Sequence, residues 1–239
     1  MKKLSFLQKA SAIIVLFCTV VCIAVGMLVQ KSYTDDIQQL VNNSDTVFWL
    51  VADTKLPDRN YDLLWDADII VRASANNIGV VSMDGIRITL TVNEVYKGVL
   101  KRGDVFNFWQ DSLFAYDSID GKPVFFARTL VNIIQPDKEY LIFAKEQYAN
   151  KEYKKRMDIP SYIPANFPLY DPVNFNSISY FDISSEDSVL LNQQDMKEYK
   201  LKYTEVCSNE IYCFSQQDSD AYYELKRKVF DKLEINMYR

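Results

Sequence analysis

The chain has 239 residues, 49% hydrophobic and 25% charged, with 27 Lys+Arg against 32 Asp+Glu and no histidine. Its 16 Tyr and 14 Phe exclude intrinsic disorder, and only six Gly and seven Pro exclude collagen-like or linker-rich chains. Without histidine, Ser-His-Asp and Cys-His catalysis and His-ligated zinc or haem are excluded as well.

Lys2, Lys3 and Lys9 open the chain, and residues 10–30 then carry no charge. About 20 helical residues cover the hydrocarbon core of a bilayer, so this run is expected to be a transmembrane signal anchor. A buried core helix is seldom apolar on every face. A cleaved signal peptide with Ala24-Val25-Gly26 as its small-x-small site is the other reading, but Met27, Leu28 and Val29 prolong the apolar run beyond it. Phe17 and Val21, preceding Cys18 and Cys22, do not suit a lipoprotein site. The lysines place residues 1–9 in the cytoplasm and everything after about residue 33 outside. Setting aside Lys2, Lys3, Lys9 and Lys31 leaves 23 basic residues against 32 acidic ones, a net −9 for the exported part. So acidic a body is a poor partner for nucleic acid.

Residues 33–66 read as a helical or irregular connector: Ile37, Leu40 and Val41 have helical spacing, Thr46–Ala52 suggests a strand, and Asp58–Trp65 suggests a helical turn. From residue 67 to 239 an exported β-rich domain is expected. Ile69, Val71, Ala73 and Ala75 alternate with Ile70, Arg72 and Ser74. Val80–Ser82 and Ile86–Val92 flank Asp84-Gly85, a strong hairpin signal because Gly tolerates positive φ. Val95 then falls out of phase, which predicts a bulge near Asn93-Glu94. Strands follow at Val105–Trp109, Ser112–Tyr116 and Val124–Ile134, with a second turn at Asp120-Gly121. Tyr140–Ala144, wholly apolar, reads as a central strand.

Four prolines at 160, 164, 168 and 172 mark residues 151–176 as a long surface loop. Ile178–Ile183 returns to the sheet, and Tyr199–Thr204 alternates as another strand. A terminal helix over about 216–235 opens on a Ser215–Asp218 capping box and carries Tyr222, Leu225, Val229 and Leu233 on one face. The fold class is therefore mainly β with added helices: an N-terminal transmembrane helix, a small antiparallel barrel and a C-terminal helix.

Asp66-Ala67-Asp68-Ile69-Ile70-Val71, Val95-Tyr96-Lys97-Gly98, Gly103-Asp104-Val105 and Glu139-Tyr140-Leu141-Ile142-Phe143 occur in an order that resembles exported bacterial OB-fold modules. These are related in shape to netrin and tissue-inhibitor-of-metalloproteinase modules. The resemblance covers residues 66–146 and implies a five-stranded OB-like barrel with a binding role. The tissue inhibitors chelate protease zinc through an N-terminal cysteine, and this segment has no cysteine, so that chemistry does not carry over.

Cys207 and Cys213 are the cysteines outside the apolar run, and export makes a bridge across residues 208–212 the expectation, with two separate thiols as the other state. Two thiolates without histidine fall short of a tetrahedral metal set, so no metal or cofactor is expected. Carboxylates such as Asp58, Asp62, Asp66, Asp68, Asp218, Asp220 and Glu224 read as solvated surface, and no D-x-D-x-D-G calcium loop occurs. Ser161, with Lys154 and Lys155, lies in no nucleophile motif. Tyr162, Phe167, Tyr170 and Phe175 either order the long loop against the core or line a groove for a glycan or peptide. The expected function is a membrane-anchored, non-catalytic binding or assembly module with a protein or glycan partner at the cell surface. A carboxylate-based hydrolase is the second reading, and an accessory or immunity subunit of an envelope complex the third.

Overall fold

The computed structural model describes residues 6–33, 47–50, 60–75, 80–82, 85–110, 112–116, 123–127, 130–136, 138–146, 160–164, 178–190, 201–213 and 215–236. The chain divides into two units, Met1–Asp36 and Ile37–Arg239.

The first unit is helix α1, Phe6–Tyr33, which contains the uncharged run 10–30. Its described side chains, Ile14–Met27, are all exposed. Among the described residues no helix is long and apolar enough to cross a membrane. The expected span over 10–30 extends past those side chains at both ends.

In the second unit, five strands close a barrel: β2 (Ile69–Ala75), β4 (Gly85–Lys97), β5 (Val105–Gln110), β8 (Glu139–Glu146) and β9 (Ser161–Pro164). The ring runs β2-β4-β5-β9-β8 and back to β2, antiparallel throughout except for the parallel β5–β9 pair. The barrel is OB-like. Alternation fills it: Ile69, Val71 and Ala73 from β2, Ile86, Ile88, Leu90 and Val92 from β4, and Phe106 and Phe108 from β5 are all buried. Tyr140–Ala144 of β8 are buried on both faces, as expected of a central strand.

Strand β3 (Val80–Ser82) pairs antiparallel with β4 as expected of a hairpin, but through Ser82↔Gly85, so Gly85 is a paired strand residue and residues 83–84, not Asp84-Gly85, lie between the strands. The expected bulge is present: Arg72 pairs with Glu94 and Ala73 with Val92, so Asn93 is the extra residue. A second shift, between Ile70↔Lys97 and Val71↔Val95, leaves Tyr96 extra. In strict alternation from Ile86, Glu94 would share the parity of buried Val92. The first bulge turns it outward instead.

A second sheet joins β1 (Val47–Leu50), the β6–β7 hairpin (Ser112–Tyr116, Pro123–Ala127) and β12 (Leu201–Lys202). The Asp120-Gly121 turn lies outside the described residues, between strands that pair antiparallel. Strand β10 (Tyr180–Asp182) extends the barrel sheet beyond β8, and β11 (Ser188–Leu190) pairs parallel with β13 (Ile211–Cys213).

Three sequence expectations need correction. The strand expected over 124–134 stops at Ala127, and residues 130–134 are buried chain joined to Ile211 by one antiparallel bridge at Val131 and otherwise held by side chains. Asn132 accepts from the Tyr203 hydroxyl at 2.8 Å and donates to the carbonyls of Cys207 and Asn209 at 2.7 and 2.9 Å, supplying bonds that a ladder would otherwise make. The supposed loop 151–176 contains β9. Pro160 lies just before this strand and Pro164 at its end, where a missing N–H is tolerated, and Tyr162 between them turns inward. The alternation over 199–204 gives way at Tyr203 to helix α3 (Tyr203–Val206), which buries Tyr203 and Val206 three residues apart; residues 199–200 lie outside the described set.

A short helix α2, Asn60–Leu64, precedes β2. The terminal helix α4, Gln216–Lys232, begins where the capping box predicts: Ser215 Oγ accepts from the Asp218 N–H at 3.1 Å. Its buried stripe contains Ser219, Tyr222, Tyr223, Leu225, Lys226, Val229 and Phe230. Phe181 of β10 packs on Tyr222 and Phe230, with ring centroids 5.8 and 6.2 Å apart.

Candidate functional site

The outward-facing side of β2, β4 and β8 meets the turn after α4 at a cleft of about 530 Å³. Arg72, Glu94, Tyr96 and Glu139 form one wall, and Leu233, Glu234, Ile235 and Asn236 form the other, with Ile183 and Ser184 between. The barrel wall follows from strand register. Arg72 is paired across β2–β4 with Glu94, and Ser74 is paired across β2–β8 with Glu139. These are outward positions on adjacent strands, so their long side chains converge.

Arg72 Nη2 lies 2.5 Å from Glu139 Oε2, and Nη1 lies 3.8 Å from Glu94 Oε2. The bond to Glu139 raises the Arg72 pKa, against the opposing effect of burial. Bulge residue Asn93 donates to Glu139 Oε1 at 2.5 Å and to Ser74 Oγ at 3.2 Å, which fixes the second carboxylate oxygen. Tyr96 donates to Glu94 Oε2 at 3.0 Å, and partial burial, then this bond, push its phenol up to about 12. One guanidinium thus stands between two carboxylates, each fixed again by a neutral donor. The opposite wall brings the carboxylate of Glu234 and the partly buried Leu233 and Ile235. The cleft is lined mainly by polar groups, Arg72 and the carboxylates of Glu94, Glu139 and Glu234 among them, an arrangement that recognises a ligand by hydrogen bonds and charge.

The residues singled out from sequence lie elsewhere. Tyr162 is 4% exposed and sits edge-on to Phe106 at 5.6 Å, so it is a core residue and not a partner contact. Phe167, Tyr170 and Phe175 lie outside the described residues. No disulfide joins Cys207 to Cys213, so the expected bridge is absent. Cys213 is buried on β13, and burial pushes its thiol up to about 11. Cys207 follows α3 and turns back on it, its Sγ 3.6 Å from the Thr204 carbonyl. Among the described residues no group of three or more Cys, Asp or Glu side chains is placed to hold a metal.

Sequence reading missed the cleft residues. Arg72 was visible only as a polar position in an alternating strand, and Glu139 as the residue before a central one. The available signal was the bulge: an extra residue in a barrel strand re-aims its neighbours, and Glu94 and Tyr96 are the neighbours here. No family model matches the chain, and neither does any curated protein or solved structure.

Proposed function

We propose that this chain is a single-pass membrane protein, N-terminus cytoplasmic, whose exported OB-like domain is a non-catalytic binding or assembly module. In this reading the cleft between the Arg72 wall and residues 233–236 takes up a protein or glycan partner at the cell surface, and the domain is kin to the netrin-like modules. The observation that carries it is the pairing of Arg72 with both Glu94 and Glu139. A two-carboxylate hydrolase leaves room between its acids for water and the scissile bond, whereas here a guanidinium fills that place. Anchoring is supported by the uncharged run 10–30, by the lysines before it, and by the exposure of apolar side chains in α1, among them Leu16 and Phe17, each 67% exposed.

A photo-crosslinking amino acid at Ser184, one of the residues lining the cleft, tests this on intact cells expressing the full chain. The expected result is one discrete adduct whose yield drops at least several-fold when Arg72→Gln or Glu94→Gln is added. No adduct, or an adduct indifferent to both substitutions, overturns the cleft as the binding site.

A further inference from the structure

Lys226 occupies the middle of the buried stripe of α4 and is 0% exposed; Glu210, just before β13, is 3% exposed. The lysine Nζ lies 2.8 Å from Glu210 Oε2, 3.0 Å from Oε1 and 2.5 Å from the Ser185 carbonyl. The rings of Tyr223 and Phe230 stand 5.8 and 5.6 Å from Nζ and exclude water. On the other side of the carboxyl, Oε1 accepts from the Tyr222 hydroxyl at 2.7 Å and from the Asp182 backbone N–H at 3.0 Å. An amine and a carboxyl group are thus held together in a dry pocket, with two donors aimed at one of the carboxyl oxygens.

Two ions sealed in such surroundings bear a large desolvation penalty, which one proton transfer along the 2.8 Å contact removes. The neutral pair is a free amine beside a carboxylic acid. Burial, working against Lys226, pushes Glu210 up to about 7, which eases transfer of a proton to its carboxylate along that contact. Fixed proximity replaces a bimolecular encounter, and donors already directed at an oxygen where charge develops lower the barrier to acyl transfer.

We propose that Glu210 and Lys226 are a self-cross-linking pair that condenses to a side-chain amide. The Nζ lone pair adds to Glu210 Cδ, and the charge developing on Oε1 is held by the Tyr222 hydroxyl and the Asp182 N–H. A proton from Nζ passes to the Oε2 hydroxyl, which leaves as water when the C–Oε2 bond breaks. Amine plus carboxylic acid gives amide plus water, with no oxidant, reductant or added group. The link clamps α4 to the chain entering β13, a covalent lock in a domain whose Cys207 and Cys213 form no bridge.

Peptide mapping by mass spectrometry on the full chain, extracted in detergent, denatured and reduced, decides the matter whatever the processing of the N-terminus. The expected result is a branched peptide joining Glu210 to Lys226, lighter by one water than its two parts. Lys226→Arg yields the separate peptides at full mass. Tyr222→Phe slows formation of the link in freshly made protein by roughly 10²-fold, the usual effect of deleting one oxyanion donor. Recovery of unmodified Glu210 and Lys226 peptides from the folded native chain overturns the proposal, as does a water loss that maps elsewhere. Because the native chain supplies the deciding result, a variant that fails to fold leaves the test intact.

Discussion

Single residues in this domain are held by constraints that side-chain chemistry makes quantitative. Gly98, just after β4, has φ +108, and a Cβ there would lie 2.7 Å from both the Asp68 carbonyl and Ile69 Cγ2. Gly103 shares the left-handed region at φ +88 but has open space around it. Gly98→Ala therefore combines backbone strain with overpacking and is expected to cost about 2–4 kcal/mol, against about 1 kcal/mol for Gly103→Ala. Urea unfolding of both variants checks the ratio, and equal losses would refute the close-approach argument. Asp182 is a second case. Burial by itself pushes its carboxyl up, but Lys138 at 2.7 Å and the Ser184 donors outweigh burial and hold it below its ordinary 3.8. A depressed carboxylate contributes stability above its unfolded pKa and loses it as pH falls through the folded value. The domain should accordingly weaken below about pH 3.8. Asp182→Asn should cost about 1–3 kcal/mol near neutrality and flatten that acid limb, as melting temperature against pH will show.

At the scale of elements, the terminal helix was the most legible part of the chain, because its cap and stripe are local. Ser215 and Asp218 satisfy each other within one turn: the Asp218 N–H donates to Ser215 Oγ at 3.1 Å, and Ser215 donates to Asp218 Oδ2 at 2.6 Å. Ser215→Ala should cost about 1 kcal/mol, seen as faster amide exchange in the first turn of α4 before the rest of the helix. Strands β2 to β5 and β8 were legible for a related reason, since period-two alternation encodes a half-buried surface and the slip after Val92 reported the bulge. Strand β9 was hidden because its partners lie far off in sequence: it pairs with Asn107 and Phe108 on one side and with Ala144–Glu146 on the other. Two flanking prolines made it look like loop. Lys226 was hidden differently. It falls on the stripe of Tyr222 and Val229, yet its burial depends on Glu210, which reaches the helix only after the domain folds. The cleft, too, is a product of register, since Arg72, Glu94 and Glu139 come from three strands and share no sequence pattern.

At the scale of the whole molecule, charge and hydropathy divide the chain into parts of opposite character. The three lysines at positions 2, 3 and 9 precede an uncharged run, and everything after residue 34 carries 23 basic and 32 acidic residues. In the proposed topology the cationic flank stays on the cytoplasmic side, because basic residues near a span resist translocation while acidic ones exert little influence. A protease added to intact cells is therefore expected to remove the exported domain and leave a membrane-held fragment ending in the connector before β2. Released full-length domain beginning near Met27 would instead mean that the apolar run is cut and discarded. Protection of the domain from external protease, with digestion only after lysis, would reverse the orientation. The same preparation reports on the cysteines: a thiol reagent applied without denaturant should modify half-exposed Cys207 and spare Cys213, which is buried and has its thiol pushed up to about 11. Labelling of neither until a reductant is added would restore the disulfide that the structure lacks. Labelling of Cys207 alone would show that the fold holds without one.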